Sequence, residues 1–301
     1  METILFPQAI DEFLFYLQVE KNYSDNTLRS YAYDLELFHQ FLVDHNRSLN
    51  MHEQSSSTSR RFIQEQILKH KIQPRTLQRR ISCLKSFSKY TLQENWLKND
   101  FMANVQVPKS DQKLPVYMSL SQLQQLFSFL EQDVGDFALR NETMFKLLAT
   151  TGMRRQELVD LTWEQIDFDT NTVRVIGKRR KERLLPLHDI VVPLLIAYKK
   201  SMPAHRTYPT EPIFLSYRGT QIDPRGLHSV FKKLLKRAGL PPERFSLHHL
   251  RHTFATILLN EEDVDLKVLQ ELLGHESLST TGMYTHINMK QKRKVMSAWK
   301  L

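Results

Sequence analysis

The sequence predicts a mainly α-helical chain of two domains, with a small β-sheet in the second. Apolar residues step by three and four through most of its length, the period of helices with one buried face. An aperiodic stretch at 99–118, containing Pro108, Lys109 and Pro115, divides the chain. Two short runs, 171–175 and 184–187, flank a basic turn and read as strands. With 301 residues there is room for two ordinary domains, and 41% hydrophobic content suffices for packed cores.

A first helix is expected over 8–20. Ser24 or Asp25 can cap a second, in which Leu28, Tyr31, Leu35, Phe38 and Leu42 form the apolar stripe. The polar run 55–59 reads as a loop that caps a third helix over 60–69. Pro74 suits the first turn of a fourth helix reaching about residue 95, with Leu77, Ile81, Leu84 and Phe87 facing the core. The basic residues Arg75, Arg79, Arg80, Lys85 and Lys89 are expected largely off that stripe. Domain one is therefore 1–98, a linker follows at 99–118, and the second domain is 119–301.

Ser119 or Ser121 opens the second domain, and a helix from about Phe137 ends at Gly152, a glycine placed to adopt the left-handed conformation. Arg154 then stands at the start of the next helix. The acids Asp160, Glu164, Asp167 and Asp169 read as a helix end and a strand-leading turn. Helices follow over 190–200, 225–238, 246–259 and 265–272, and a last one lies beyond Tyr284, over 288–301.

The formal charge is +9 and the isoelectric point about 9.5, which favours a polyanionic partner because phosphate neutralisation releases counterions. Charge is clustered: no acid occurs from Lys71 to Leu92, and further clusters lie at 178–183 and at Lys232, Lys233, Lys236 and Arg237. No run of about eighteen apolar residues suggests a membrane span. The first residues lack a basic region followed by an apolar one, so no secretion signal is expected. Cys83 is the sole cysteine, which fits a reducing compartment.

Two arginines, two histidines and a tyrosine are what a protein needs to break a phosphodiester without a metal, and the chain offers candidates: Arg154 or its neighbour Arg155 after Gly152, His248 and Arg251 in a His-x-x-Arg beside His249 and His252, His275, and Tyr284 nine residues later. Planar guanidinium suits a phosphate's paired oxygens, imidazoles move protons, and a phenol can attack phosphorus and remain bound to it. A phenol has an ordinary pKa of about 10, so it needs nearby cations and a proton acceptor. Two rivals are a metal-dependent nuclease and a non-catalytic DNA-binding protein. His248 and His252 could share a helix face as zinc ligands do, but no glutamate lies between them in the His-Glu-x-x-His manner. No Gly-x-x-x-x-Gly-Lys-Ser/Thr loop occurs, which argues against ATP hydrolysis.

The motifs Thr151-Gly152-Met153-Arg154, His248-His249-Leu250-Arg251, Leu273-Gly274-His275 and Tyr284-Thr285-His286 resemble the site of the tyrosine recombinase (phage integrase) family. The run Gly177 to Leu187 resembles the lysine hairpin of its Xer branch. The resemblance implies an N-terminal helical, SAM-like core-binding domain and an α+β catalytic domain. Arg154 and Arg251 would hold the scissile phosphate, His248 and His275 would assist, Lys178 would be the general acid and Tyr284 the nucleophile. Lys181 is the alternative to Lys178. No cofactor or metal is implied. Double-stranded DNA is the implied partner, with a homo- or heterotetramer on two duplexes, in the cytoplasm, and with a DNA translocase as a further possible partner. The C-terminal helix would be exchanged between protomers or fold back on its own domain. Resolution of chromosome or plasmid dimers is the expected role, integration of a phage or mobile element the alternative.

Overall fold

The computed structural model describes residues 4–106, 116–177, 181–261 and 266–274, and the chain divides into two compact units, Met1–Lys113 and Leu114–Leu301.

Four helices build the first unit: α1 (Phe6–Val19), α2 (Asp25–Asp44), α3 (Ser56–Leu68) and α4 (Pro74–Gln93). Pro7 and Pro74 sit in the first turns of α1 and α4, where a missing N–H costs nothing. Helix α3 starts earlier than its serine-rich beginning suggested. Ser55 alone caps it, accepting from the Thr58 N–H at 3.4 Å, while the serines that follow lie within the helix. Serines favour both helix starts and loops, so composition cannot separate the two. The core is aromatic: Phe6, Phe13, Phe38 and Phe87 are fully buried, with edge-on contacts such as Phe6–Phe87 at 5.2 Å between centroids. Phe101, Met102 and Val105 also enter this core, although no period marks their stretch.

Helix α4 buries Leu77, Ile81, Leu84 and Phe87, as the stripe predicted. Its basic residues divide into two groups. Arg75, Lys85 and Lys89 are exposed. Arg79 and Arg80 instead pair with the buried carboxylate of Asp34 on α2, and Arg80 also donates to Gln66 on α3. Burial pushes the Asp34 carboxyl above its ordinary value, and the two guanidiniums counter that. The basic face is thus narrower than the sequence suggested.

The second unit is helical around a three-stranded antiparallel sheet. Its elements are α5 (Leu120–Gln132), α6 (Ala138–Thr151), α7 (Arg155–Val159), β1 (Ile166–Asp167), β2 (Thr172–Ile176), β3 (Glu182–Pro186), α8 (Val192–Ser201), α9 (Pro224–Arg237), α10 (Leu247–Glu261) and α11 (Leu266–Leu273). The strand order is β1-β2-β3, with Val173 opposite Leu185 and Val175 opposite Arg183. The two residues of β1 carry too short a pattern to be read in sequence. Helix α6 runs through the core, its residues from Thr143 to Thr151 all buried. Ser119 caps α5 with a reciprocal bond to Gln122, and the Met118 N–H donates to Thr253 on α10 at 2.9 Å.

Candidate functional site

The site begins where α6 stops. Gly152 adopts φ +63°, and its N–H donates to the Leu148 carbonyl at 3.1 Å. A Cβ there would meet the Phe254 ring at 2.4 Å, so glycine is required both by the turn and by the approach of α10. The chain then reverses and places Arg154 at the N-cap of α7.

Glu157 lies three residues on, within the same helix turn. It accepts from the Arg154 backbone N–H at 2.6 Å and from the Arg154 guanidinium at 2.9 Å. Arg183, on β3, makes a two-pronged pair with the same carboxylate at 2.9 and 2.7 Å. Burial alone would raise the Glu157 pKa, but the hydrogen bonds and charge of Arg183, with those of Arg154, hold it below the ordinary value. Arg183 therefore leaves the basic turn for a structural role. Arg174, another member of that cluster, pairs with Glu182 at 3.1 Å.

Helix α11 completes the arrangement with its C-terminus. Three successive carbonyls accept from three arginines: Leu272 from Arg183 at 3.0 Å, Leu273 from Arg251 at 2.6 Å, and Gly274 from Arg154 at 2.7 Å. These are carbonyls that a helix end leaves without partners, at the negative pole of its dipole. Gly274 turns left-handed at φ +62°. Arg251 also donates to the Gly152 carbonyl at 2.6 Å, so it ties the ends of α6 and α11 together.

Arg251 is 5% exposed, and burial, aided by the charge of Arg154, lowers its pKa to about 10. It remains a cation at neutral pH. Arg154 and Arg183 share the Glu157 carboxylate and Arg251 has carbonyl partners, so three guanidiniums stand against one carboxylate beside an open pocket of about 510 Å³. Arg154, Arg155, His228, Ser246, His248 and Arg251 line it. His248 and Arg251 reach the same pocket because residues three apart share a helix face.

His249 takes a structural role: its Nδ1 accepts from the Ser246 N–H at 3.1 Å at the start of α10. Burial lowers its pKa, and burial likewise lowers that of His252, whose ring stands edge-on to His248 at 4.3 Å. Among the described residues no three His, Cys, Asp or Glu side chains form a group suited to a metal ion.

Of the six site residues expected from sequence, the structure brings Arg154, His248 and Arg251 together. Lys178, His275 and Tyr284 lie outside the described residues, although Gly274, the residue before His275, is held by Arg154. His228 was missed, since a lone histidine on a helix carries no local signal. So was the sharing of Glu157 by Arg183, which is 26 residues away in the chain.

Residues 117–291 match the model of the phage integrase family, and residues 10–95 match that of the phage integrase N-terminal SAM-like domain. The chain is 35% identical over 301 residues to the tyrosine recombinase XerC of Anoxybacillus flavithermus, covering 98% of this chain and 97% of that protein. It is 37% identical over 287 residues to the tyrosine recombinase XerC of Staphylococcus aureus, covering 95% and 94%. Among solved structures, the Tn1549 transposon integrase in complex with circular intermediate DNA has a TM-score of 0.71 at 19% identity, covering 96% of this chain and 98% of that one. The XerH site-specific recombinase bound to palindromic difH substrate has a TM-score of 0.70 at 21% identity, covering 90% and 78%. At these identities the two structures speak for the fold, a helical domain joined to a mixed catalytic one.

Proposed function

The chain belongs to the phage integrase family, and from that premise we propose that it is an Xer-type site-specific DNA recombinase that cuts and rejoins strands through Tyr284. The phenolate oxygen of Tyr284 attacks the scissile phosphorus and forms a 3′-phosphotyrosine bond. The bond from phosphorus to the 5′ oxygen breaks, and the departing 5′ hydroxyl takes its proton from Lys178. The phenol's own proton passes to a histidine, His248 or His275. Attack by the 5′ hydroxyl of a partner strand reverses these steps, so the link conserves the phosphodiester and no ATP is consumed.

The single observation that supports this reading is the arginine clamp. Arg154 and Arg251 line one pocket, both anchored to backbone carbonyls, with Glu157 countering only part of the local positive charge. Such preset cations stabilise the charge that develops on a phosphorane-like transition state, without rearranging as the reaction proceeds. Residues 1–98 would grip the duplex and 119–301 carry the chemistry, joined through 99–118. Double-stranded DNA and a tetramer of this or a related chain are the proposed partners, a DNA translocase a further one, and dimer resolution in the cytoplasm the role. No described helix is long and apolar enough to cross a membrane.

The cleavage site is first mapped on host chromosomal DNA. On a nicked duplex carrying it, Tyr284→Phe should bind but form no covalent adduct; an undiminished adduct yield would remove Tyr284 from its role. Arg154→Ala and Arg251→Ala should each slow adduct formation by two to three orders of magnitude, roughly the loss of 3–4 kcal/mol of transition-state stabilisation.

A further inference from the structure

Arg155 follows Arg154 directly and has no part in the clamp. It is exposed, and among the described residues no carboxylate or carbonyl engages it. Arg154, the N-cap of α7, turns toward α11, while Arg155, the first residue of that helix, lines the same pocket as His228 and Ser246. His228 stands on α9 and Ser246 directly before α10. Burial lowers the His228 pKa first, and the charges of Lys232 and Arg155 lower it further. Arg155 is therefore close enough for its charge to be felt by the imidazole. Lys232 itself is engaged elsewhere: its ammonium donates to the carbonyls of Pro242 and Phe245.

We propose that Arg155 and His228, with Ser246 beside them in the lining, form a second phosphate subsite that takes the phosphodiester next to the scissile one on the cleaved strand. The inference rests on the recombinase reading above. A pocket of about 510 Å³ is larger than one phosphate fills. On a DNA strand charge recurs about every 3.4 Å of helix axis, so a strand whose scissile phosphate lies between Arg154 and Arg251 brings its neighbour to the same pocket. Arg155 offers a guanidinium fork without a carboxylate partner among the described residues, and the His228 imidazole offers one N–H in the same pocket. Gripping two successive phosphates fixes the strand's direction as well as its position, and direction decides which side of the phosphorus faces the nucleophile.

The test uses the full-length protein and the nicked duplex that carries the mapped cleavage site. One neutral methylphosphonate linkage is walked outward from the scissile position, and adduct rate and affinity are measured for wild type, Arg155→Ala and His228→Ala. Neutralising one adjacent linkage should slow the wild type roughly ten- to a hundredfold, the usual effect of losing a charged hydrogen bond. Arg155→Ala should lose a similar factor on unmodified DNA and lose little more on the neutralised substrate, because the two changes remove the same contact. His228→Ala should show a smaller loss with the same non-additivity. Arg155→Lys should recover part of the rate. Independent, multiplying losses would overturn the subsite, as would an Arg155→Ala protein as fast as wild type. A wild-type protein that forms no adduct on unmodified DNA would instead reject the recombinase reading, before any variant is compared.

Discussion

Glu157 is the residue on which the candidate site converges. It caps Arg154, pairs with Arg183 and is 7% exposed. Removing one member of a buried charged pair leaves its partner without compensation, at about 3–5 kcal/mol. Glu157→Ala should therefore lower the urea midpoint of the catalytic unit and slow adduct formation as well, since Arg154 loses its anchor. The charge also has a pH signature. The folded-state pKa of Glu157 lies below its unfolded value, about 4.3. Its stabilisation is present above that unfolded value and is lost as pH falls through the lower, folded one. Urea midpoints measured from pH 6 to pH 3 should fall more steeply for the wild type than for Glu157→Ala; parallel curves would show that the pair does not matter. A second residue-scale prediction separates Lys178 from its basic neighbours. A 5′-bridging phosphorothiolate leaves without a proton, so that substrate should rescue Lys178→Ala and not Arg154→Ala. Rescue of Lys181→Ala in its place would move the general acid along the hairpin.

Two helix ends and a glycine make the site at the scale of elements. Helix α6 ends where Gly152 turns left-handed, and α11 ends by offering three carbonyls to three arginines. For Gly152→Ala the left-handed conformation costs about 1–2 kcal/mol. The new methyl would also overlap the Phe254 ring, and overpacking adds about 1–3 kcal/mol. The variant should unfold at clearly lower urea, and Gly152→Ala with Phe254→Leu should recover part of the loss; a fully stable single variant would show that α10 can move aside. Most elements were legible because apolar period and punctuation agree. Pro74, Ser119 and Gly152 mark boundaries to within a residue or two of those observed. Helix α3 and strand β1 were read less well. Serines favour helix starts and loops alike, and a two-residue strand exists only through its pairing with β2.

For the whole molecule, a charge of +9 implies that DNA affinity falls with salt. The charge is not evenly available, because Arg79, Arg80, Arg174 and Arg183 are engaged by acids and only part of the basic surface remains for phosphate. The C-terminal helix expected over 288–301 lies outside the described residues. A helix so short, with Val295, Met296 and Trp299 as its apolar stripe, would be marginal alone, so it is expected to dock on its own domain or on a neighbour. If neighbours exchange it, deletion of 289–301 should leave a folded protein that binds a half-site but loses cooperative binding to a full site. Retained cooperativity would rule out exchange, and unfolding would place the helix in its own core. The sequence alone determined the class of chemistry, because Thr-Gly-Met-Arg, His-x-x-Arg, Leu-Gly-His and Tyr-Thr-His are local patterns whose residue types and order are visible without coordinates. It also determined most helices, whose period follows from one buried face. The tertiary structure alone decided which charges are free to act. Arg183 reaches Glu157, and Arg79 and Arg80 reach Asp34, across separations that no local pattern records. Ion pairing depends on distance in space and on burial, and both arise only when the elements pack.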